Sequence, residues 1–252
     1  MVLHTLTDGP EDGHPLVLLH GLLGSAASGW NVDGGESIPA LSFCVPTGKT
    51  WRVIRVDLPN HGDSPRQATF SLSSLAEDVK ATVESLGYAS AVFCGHSLGG
   101  KIAMQLACMF PSFVERLVVL DMSPRTFPPF HLFLLRACKD LPVAAAKDVA
   151  QLDNELAVLV PKPRDRAYIL KNLERDVAGH FRWRCDLGNL IENYKVVSDA
   201  GLSGMPYPGE ARFIMGGASP FKFWKDETLI KDYFPNAQIE TLSGIDHLGI
   251  LA

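Results

Sequence analysis

The pentapeptide Gly95-His96-Ser97-Leu98-Gly99 constrains this chain more than any other feature. Ala91-Val92-Phe93-Cys94 precedes it; this run is short, apolar and partly β-branched, and predicts a buried strand. Gly99 to Ala107 follows, rich in helix formers with apolar residues at helical spacing. A strand that turns sharply into a helix strains the backbone of its turn residue, and glycines two positions before and after make room for that turn. The Ser97 hydroxyl is thereby expected above the edge of a sheet, beside a helix N-terminus that favours negative charge. A glycine-containing turn can match such a pattern by coincidence, so the rest of the chain has to agree with it.

Strand-like runs occupy Pro15–His20, Trp51–Leu58, Ala91–Cys94, Arg116–Asp121, Ala211–Met215 and Gln238–Leu242. Most are continuously apolar, as strands covered on both faces are. Between them, Ser71–Gly87 places Leu72, Leu75, Val79, Val83 and Leu86 on one helical stripe and ends at a glycine. Gly99–Phe110 and Asp226–Phe234 are further helices, stopped before Pro111 and Pro235. The alternation predicts an α/β domain, a mostly parallel doubly wound sheet. It fails between about Ser123 and Pro208, too long an interval for a plain connection. Phe130–Lys139, Val143–Val158 and Arg164–Val177 read as helical there. The expectation is one domain over 1–252, with a core of 1–122 and 209–252 and a helical cap inserted at 123–208, over the edge where such sheets bind ligands. Asn31–Thr50 reads as an extended loop.

Composition narrows the partners. The chain has 252 residues, 46% apolar and 20% charged, with a formal net charge of −5 and no long basic run, so nothing points to nucleic acid. No apolar run approaches the roughly 20 residues that span a bilayer, and Met1–Thr5 lacks a basic segment leading into an apolar one. The expectation is an intracellular protein without stable membrane insertion, cytoplasmic or organellar, mitochondrial if a targeting peptide was removed. Its expected state is a monomer or small homo-oligomer. Five cysteines, Cys44, Cys94, Cys108, Cys138 and Cys185, show no C-x-x-C spacing and read as reduced thiols.

A serine hydroxyl is a weak nucleophile at neutral pH. It needs a base, a group to orient that base, and donors for an oxyanion. Of eight histidines, only His247 follows the final strand, so it is the candidate base. His131, His61 and His180 precede the last strands, and His96 adjoins the serine with a side chain expected to point elsewhere. The loop after the penultimate strand, Gly216-Gly217-Ala218-Ser219-Pro220, holds no carboxylate. Asp121 closes the strand after the serine turn, 24 residues beyond Ser97 (121 − 97), and is the preferred acid. A buried aspartate there needs a partner. Asp226 and Asp246 are weaker alternatives, and Ser219 is an accessory donor to the histidine. The oxyanion donors are expected to be the N–H groups of Leu98 and of Leu22, the latter in His20-Gly21-Leu22-Leu23-Gly24. Asp57–Ser64 reads as a buttressing loop; a metal there is disfavoured for want of a second ligand pair.

With these residues in view, the chain resembles the α/β-hydrolase superfamily over nearly its whole length. His20–Ser25, Asp57–Ser64, Gly95–Gly100, Asp121-Met122-Ser123-Pro124, Gly216–Ser219 and Phe181–Leu187 are similar to small bacterial acyl-ester hydrolases and the related mitochondrial α/β-hydrolase-domain esterases. The resemblance implies an α/β-hydrolase fold, hydrolysis of short to medium acyl esters or thioesters, and no cofactor. It also implies an aspartate moved to the earlier strand, with serine in the penultimate loop. Asn31–Thr50 is longer than that pattern, and the pattern continues into a final helix where this chain ends at Ala252, an expectation of a shortened carboxyl end.

The expected chemistry is a serine esterase or thioesterase with Ser97 as nucleophile, His247 as base and Asp121 as its orienter, acting on a small acyl ester or thioester. Activity is expected to rise as the histidine loses its proton. The rivals are a carbon–carbon bond hydrolase and a slow-turnover ligand receptor on the same fold. Epoxide hydrolase and dehalogenase chemistry is disfavoured, since those relatives carry aspartate where Ser97 stands.

Overall fold

The structure, a computed structural model, describes residues 1–27, 30 and 50–251. Residues 31–49, with Cys44 and most of the expected Asn31–Thr50 loop, lie outside the described residues.

Seven strands form the main sheet: β1 (Thr5–Asp8), β2 (His14–Leu19), β3 (Trp51–Val56), β4 (Ala91–His96), β5 (Val114–Leu120), β8 (Glu210–Gly216) and β9 (Gln238–Leu242). Their order is β1-β3-β2-β4-β5-β8-β9, and all pairs are parallel except β1 with β3. β4 lies at the centre, and all six of its residues are buried. Alternation splits the strands into two faces. Val17, Ile54, Phe93, Leu117, Val119 and Phe213 belong to one core cluster. Leu16, Leu18, Val92, Cys94, Val118 and Ile214 belong to a second.

Helices α1 (Leu72–Ser85) and α2 (Leu98–Met109), with α7 (Glu227–Tyr233), pack on the first face through Leu75, Val79, Val83, Ile102, Leu106 and Ile230. α1 starts where its sequence allows: Ser71 accepts the Ser74 N–H while the Ser74 hydroxyl accepts the Ser71 N–H. Trp30, Ile250 and Leu251 join the second cluster.

Strand order reverses between β2 and β4. β2 has β3 on one side and β4 on the other, so the loops leaving β2 and β4 diverge and open a crevice at the carboxyl edge. Residues 121–209 rise over this edge and carry their own apolar cluster, including Leu135, Leu152, Ile169, Phe181 and Leu190.

Three features of that segment depart from the expected helices. The run Val143–Val158 is not one helix: Val143–Ala145 makes a 3-10 turn and α4 spans Val149–Leu156. Asp148 is extended and accepts the Gln151 N–H, so its short carboxylate serves better as a helix cap than within a helix. The run Arg164–Val177 is helical only as α5 (Pro163–Leu170); β6 (Leu173–Arg175) then pairs with β7 (Phe181–Trp183) in a hairpin. Its turn is closed by the Asp176 carboxylate, which accepts the N–H groups of Ala178 and His180, and by Gly179 at φ +85°. The expected Phe130–Lys139 helix appears as α3 (Leu132–Asp140), and α6 (Leu187–Ser198) is additional, capped by Asp186. No helix among the described residues is long and apolar enough to cross a membrane.

Candidate active site

Ser97 ends β4 and caps α2, with φ +52° and ψ −117°. Most residues avoid this conformation at a cost of about 1–3 kcal/mol. The turn around it leaves no space for larger neighbours. A Cβ on Gly95 would collide with the Gly99 carbonyl oxygen, and one on Gly99 with the Leu19 carbonyl oxygen.

His247, in the loop after β9, reaches the serine. Its Nε2 lies 3.0 Å from Ser97 Oγ, and its Nδ1 lies 2.6 Å from Asp121 Oδ2. Asp121 follows β5, is fully buried and has φ +46°. Its Oδ2 also accepts the Ser219 hydroxyl at 2.5 Å, and its Oδ1 accepts the Gly216 N–H at 2.9 Å. Burial alone would push its pKa up. The hydrogen bond and charge of His247, the Ser219 hydroxyl and the Gly216 N–H outweigh burial and hold the carboxyl below its ordinary range. Ser219 therefore bonds to the carboxylate rather than to the histidine, the partner expected for it from sequence. Asp226 is taken by the Ser123 hydroxyl at 2.6 Å and by Arg125. Asp246 is taken by Lys162 at 2.6 Å, by Arg164 and by the Gly249 N–H. Neither replaces Asp121.

Leu98 is the first residue of α2, so its N–H has no carbonyl within the helix. The Leu22 N–H forms no hydrogen bond among the described residues, whereas its neighbour Leu23 donates to His61 Nε2 at 3.3 Å. His61 Nδ1 in turn donates to the Pro59 carbonyl at 3.0 Å, and the Asn172 side-chain amide donates to the Leu23 carbonyl. His20 Nε2 accepts the Leu58 N–H at 3.0 Å while its Nδ1 donates to Gly21. Burial lowers the pKa of both imidazoles, to about 3 for His61, and keeps them neutral. Asp57, with His4 and Asp63 close by, has both oxygens engaged by the N–H groups of Ala26 and Asp63 and by His4. These hydrogen bonds account for the carboxylate without an ion.

Sequence reasoning set two residues aside that the fold brings to the site. The His96 ring lies 4.7 Å from that of His247, and its Nε2 donates to the His247 carbonyl at 2.9 Å. Burial, then the His247 charge, lowers its pKa to about 3. His131, just before α3, lies 5.5 Å from the Phe221 ring, which is itself 4.7 Å from His247. A third, Lys101, stands one turn beyond Ser97 on α2 and is fully buried. It donates to the Arg125 carbonyl at 3.1 Å beneath the Phe127 ring, and burial lowers its pKa to about 8.

Two cavities meet at Ser97. The first, about 200 Å³, runs under α5 past Leu134, Val160, Tyr168 and Ile169 to Lys162 and Asp165. The second, about 30 Å³, is lined by Leu98, Met122, Phe127, Tyr194, Val197 and Phe223.

Comparison with known proteins agrees with this architecture. The sequence model of the alpha/beta hydrolase fold matches residues 14–154. The sn-1-specific diacylglycerol lipase ABHD11 of Mus musculus is 33% identical over 97% of this chain and 78% of its own length. Esterase YbfF of Escherichia coli (strain K12) is 26% identical over 94% of this chain and 87% of its own. A solved marine microorganism esterase superposes with a TM-score of 0.84 at 30% identity, covering 98% of this chain and 92% of that one. A mostly parallel sheet with a serine on the turn after its central strand, matched over most of its length by these relatives, places the chain in the α/β-hydrolase family.

Proposed function

We propose that the chain is a serine hydrolase that cleaves carboxylic esters or thioesters through an acyl-enzyme. The observation that carries the reading is the unbroken hydrogen-bond chain from Ser97 Oγ to His247 (3.0 Å) and on to buried Asp121 (2.6 Å). The relatives' own activities, lipase and esterase, support the same class.

In this scheme His247 Nε2 accepts the Ser97 proton as Oγ attacks the acyl carbonyl carbon. The oxyanion lies against the N–H groups of Leu98 and Leu22, at the positive end of α2. The carbon–oxygen or carbon–sulfur bond then breaks, and the departing atom takes its electron pair and the proton held by His247. Water, deprotonated by the same imidazole, releases the acid and restores the serine. Asp121 stays ionised and holds Nδ1–H, which keeps Nε2 free to act as base. No cofactor enters the scheme.

Residues 123–208 act as the cap over a core of 1–122 and 209–252. The smaller cavity, on the Leu98 side of Ser97, takes the acyl chain, and its volume favours short chains. The larger cavity takes the alcohol or thiol.

Ser97→Ala is expected to abolish the nitrophenol burst from nitrophenyl butyrate and to block labelling by a fluorophosphonate probe. Labelling that persists in the variant overturns the assignment of the nucleophile.

A further inference from the structure

Five residues border both cavities: Leu22, Ser97, His131, Phe221 and His247. They ring the neck between the two spaces, where a bound ester has its acyl carbon on one side and its alcohol on the other. Phe221 supplies a packing surface. His131 is the one polar side chain of the five to which the scheme above gives no role.

Its imidazole is held in one protonation state and one tautomer. Burial, then the charge of His247, lowers its pKa to about 4, so the ring is neutral at pH 7. Nδ1 lies 2.6 Å from the Tyr194 hydroxyl. Tyr194 is only 9% exposed, and burial pushes its pKa up to about 12, so it keeps its O–H hydrogen. The His131 main chain also bonds to that hydroxyl and holds its pKa down somewhat, but no other acceptor for the tyrosine hydrogen is present among the described residues. Were Nδ1 to carry the ring proton, the tyrosine hydrogen would be buried without an acceptor, which folded proteins avoid. Tyr194 therefore donates to Nδ1, and Nε2 carries the hydrogen. That Nε2–H makes no hydrogen bond among the described residues.

We propose that His131 is a further hydrogen-bond donor to the substrate, its Nε2–H binding the alkoxy oxygen of an ester that spans the neck. This rests on the serine-hydrolase reading above. When the tetrahedral intermediate collapses, the bond from carbon to the alkoxy oxygen breaks and its electron pair passes to that oxygen. The proton that His247 took from Ser97 goes to the same atom. His131 keeps its own proton and stabilises the charge that builds there. The effect is largest for aliphatic alcohols, whose oxygen carries most charge in the transition state, and smallest for a nitrophenol, which departs without help. The substrate class singled out is esters of aliphatic alcohols.

The test compares ethyl butyrate with nitrophenyl butyrate, which form the same acyl-enzyme. His131→Phe keeps an aromatic ring against Phe221, and His131→Gln restores an N–H. Values of kcat/KM are taken per active site, counted by the nitrophenol burst, so misfolded protein does not enter. His131→Phe is expected to lower the ethyl ester value by about 100-fold, the range of one lost donor to developing charge, and the nitrophenyl value by less than about threefold. His131→Gln is expected to regain most of the ethyl ester loss. Equal losses on both esters, or no loss on either, overturn the role of His131 and leave the hydrolase standing. A wild-type chain that cleaves neither ester, or cleaves them independently of Ser97, overturns both.

Discussion

Ser97 and Asp121 are two of the five non-glycine residues with positive φ among the described residues, at +52° and +46°. Each closes a neighbouring parallel strand, and each strained backbone turns a side chain off the sheet edge toward His247. The carboxylate accepts three hydrogen bonds, from His247, Ser219 and Gly216, which hold it charged and immobile. Asp121→Asn is expected to lower kcat on nitrophenyl butyrate by about 10³–10⁴-fold, because an amide donating to Nδ1 leaves the proton on Nε2, where it cannot accept that of Ser97. Ser219→Ala removes one of the three donors and is expected to cost less than about tenfold. Circular dichroism checks that both variants fold, and the reverse ranking would exchange their roles. This part of the site was legible because a carboxylate that ends an apolar strand needs a partner, and because only His247 follows the last strand. His131 was illegible for the opposite reason. It lies 116 positions before His247 (247 − 131), and only the folding-back of residues 121–209 brings the two rings to the same neck.

The element that carries Leu22 is held from two sides. Below it, the buried loop after β3 contributes His61 to the Leu23 N–H. Above it, Asn172, between α5 and β6, donates to the Leu23 carbonyl, and the Leu23 side chain is counted in the apolar cluster of the overlying segment. The peptide that presents one proposed oxyanion donor is thus clamped by the segment that follows β5. Asn172→Ala is expected to lower kcat about tenfold with KM nearly unchanged, and to lower stability by about 1–2 kcal/mol for the lost buried hydrogen bond. Steady-state kinetics and thermal melting read the two effects separately, and a change confined to KM would contradict the clamp. At this scale legibility followed length and periodicity. α1 was read nearly to its ends because five apolar positions on one stripe and a terminal glycine agree. β1 was missed because three of its four residues are polar, two are exposed, and it pairs only at the sheet edge. β6 was read as the end of a helix and β7 was not read as a strand, because three-residue strands show no period; the Asp176…Gly179 turn was the signal available.

The whole molecule sets the arrangement by strand order. The crevice lies where the loops after β2 and β4 part, and the acid and its hydroxyl neighbour leave β5 and β8, which pair from Arg116↔Glu210 to Leu120↔Ile214. Two adjacent strand ends therefore serve one imidazole, with Ser219 Oγ only 2.5 Å from Asp121 Oδ2. The negative charge has two berths, of which one is filled by oxygen without charge. Asp121→Ser is expected to be nearly inactive on nitrophenyl butyrate, and adding Ser219→Asp is expected to restore at least about tenfold of the loss; a double variant no better than the single would mean that the second berth cannot reach the ring. Migration of the acid between strands then requires no redesign of the sheet, only two substitutions that tolerate each other along the way.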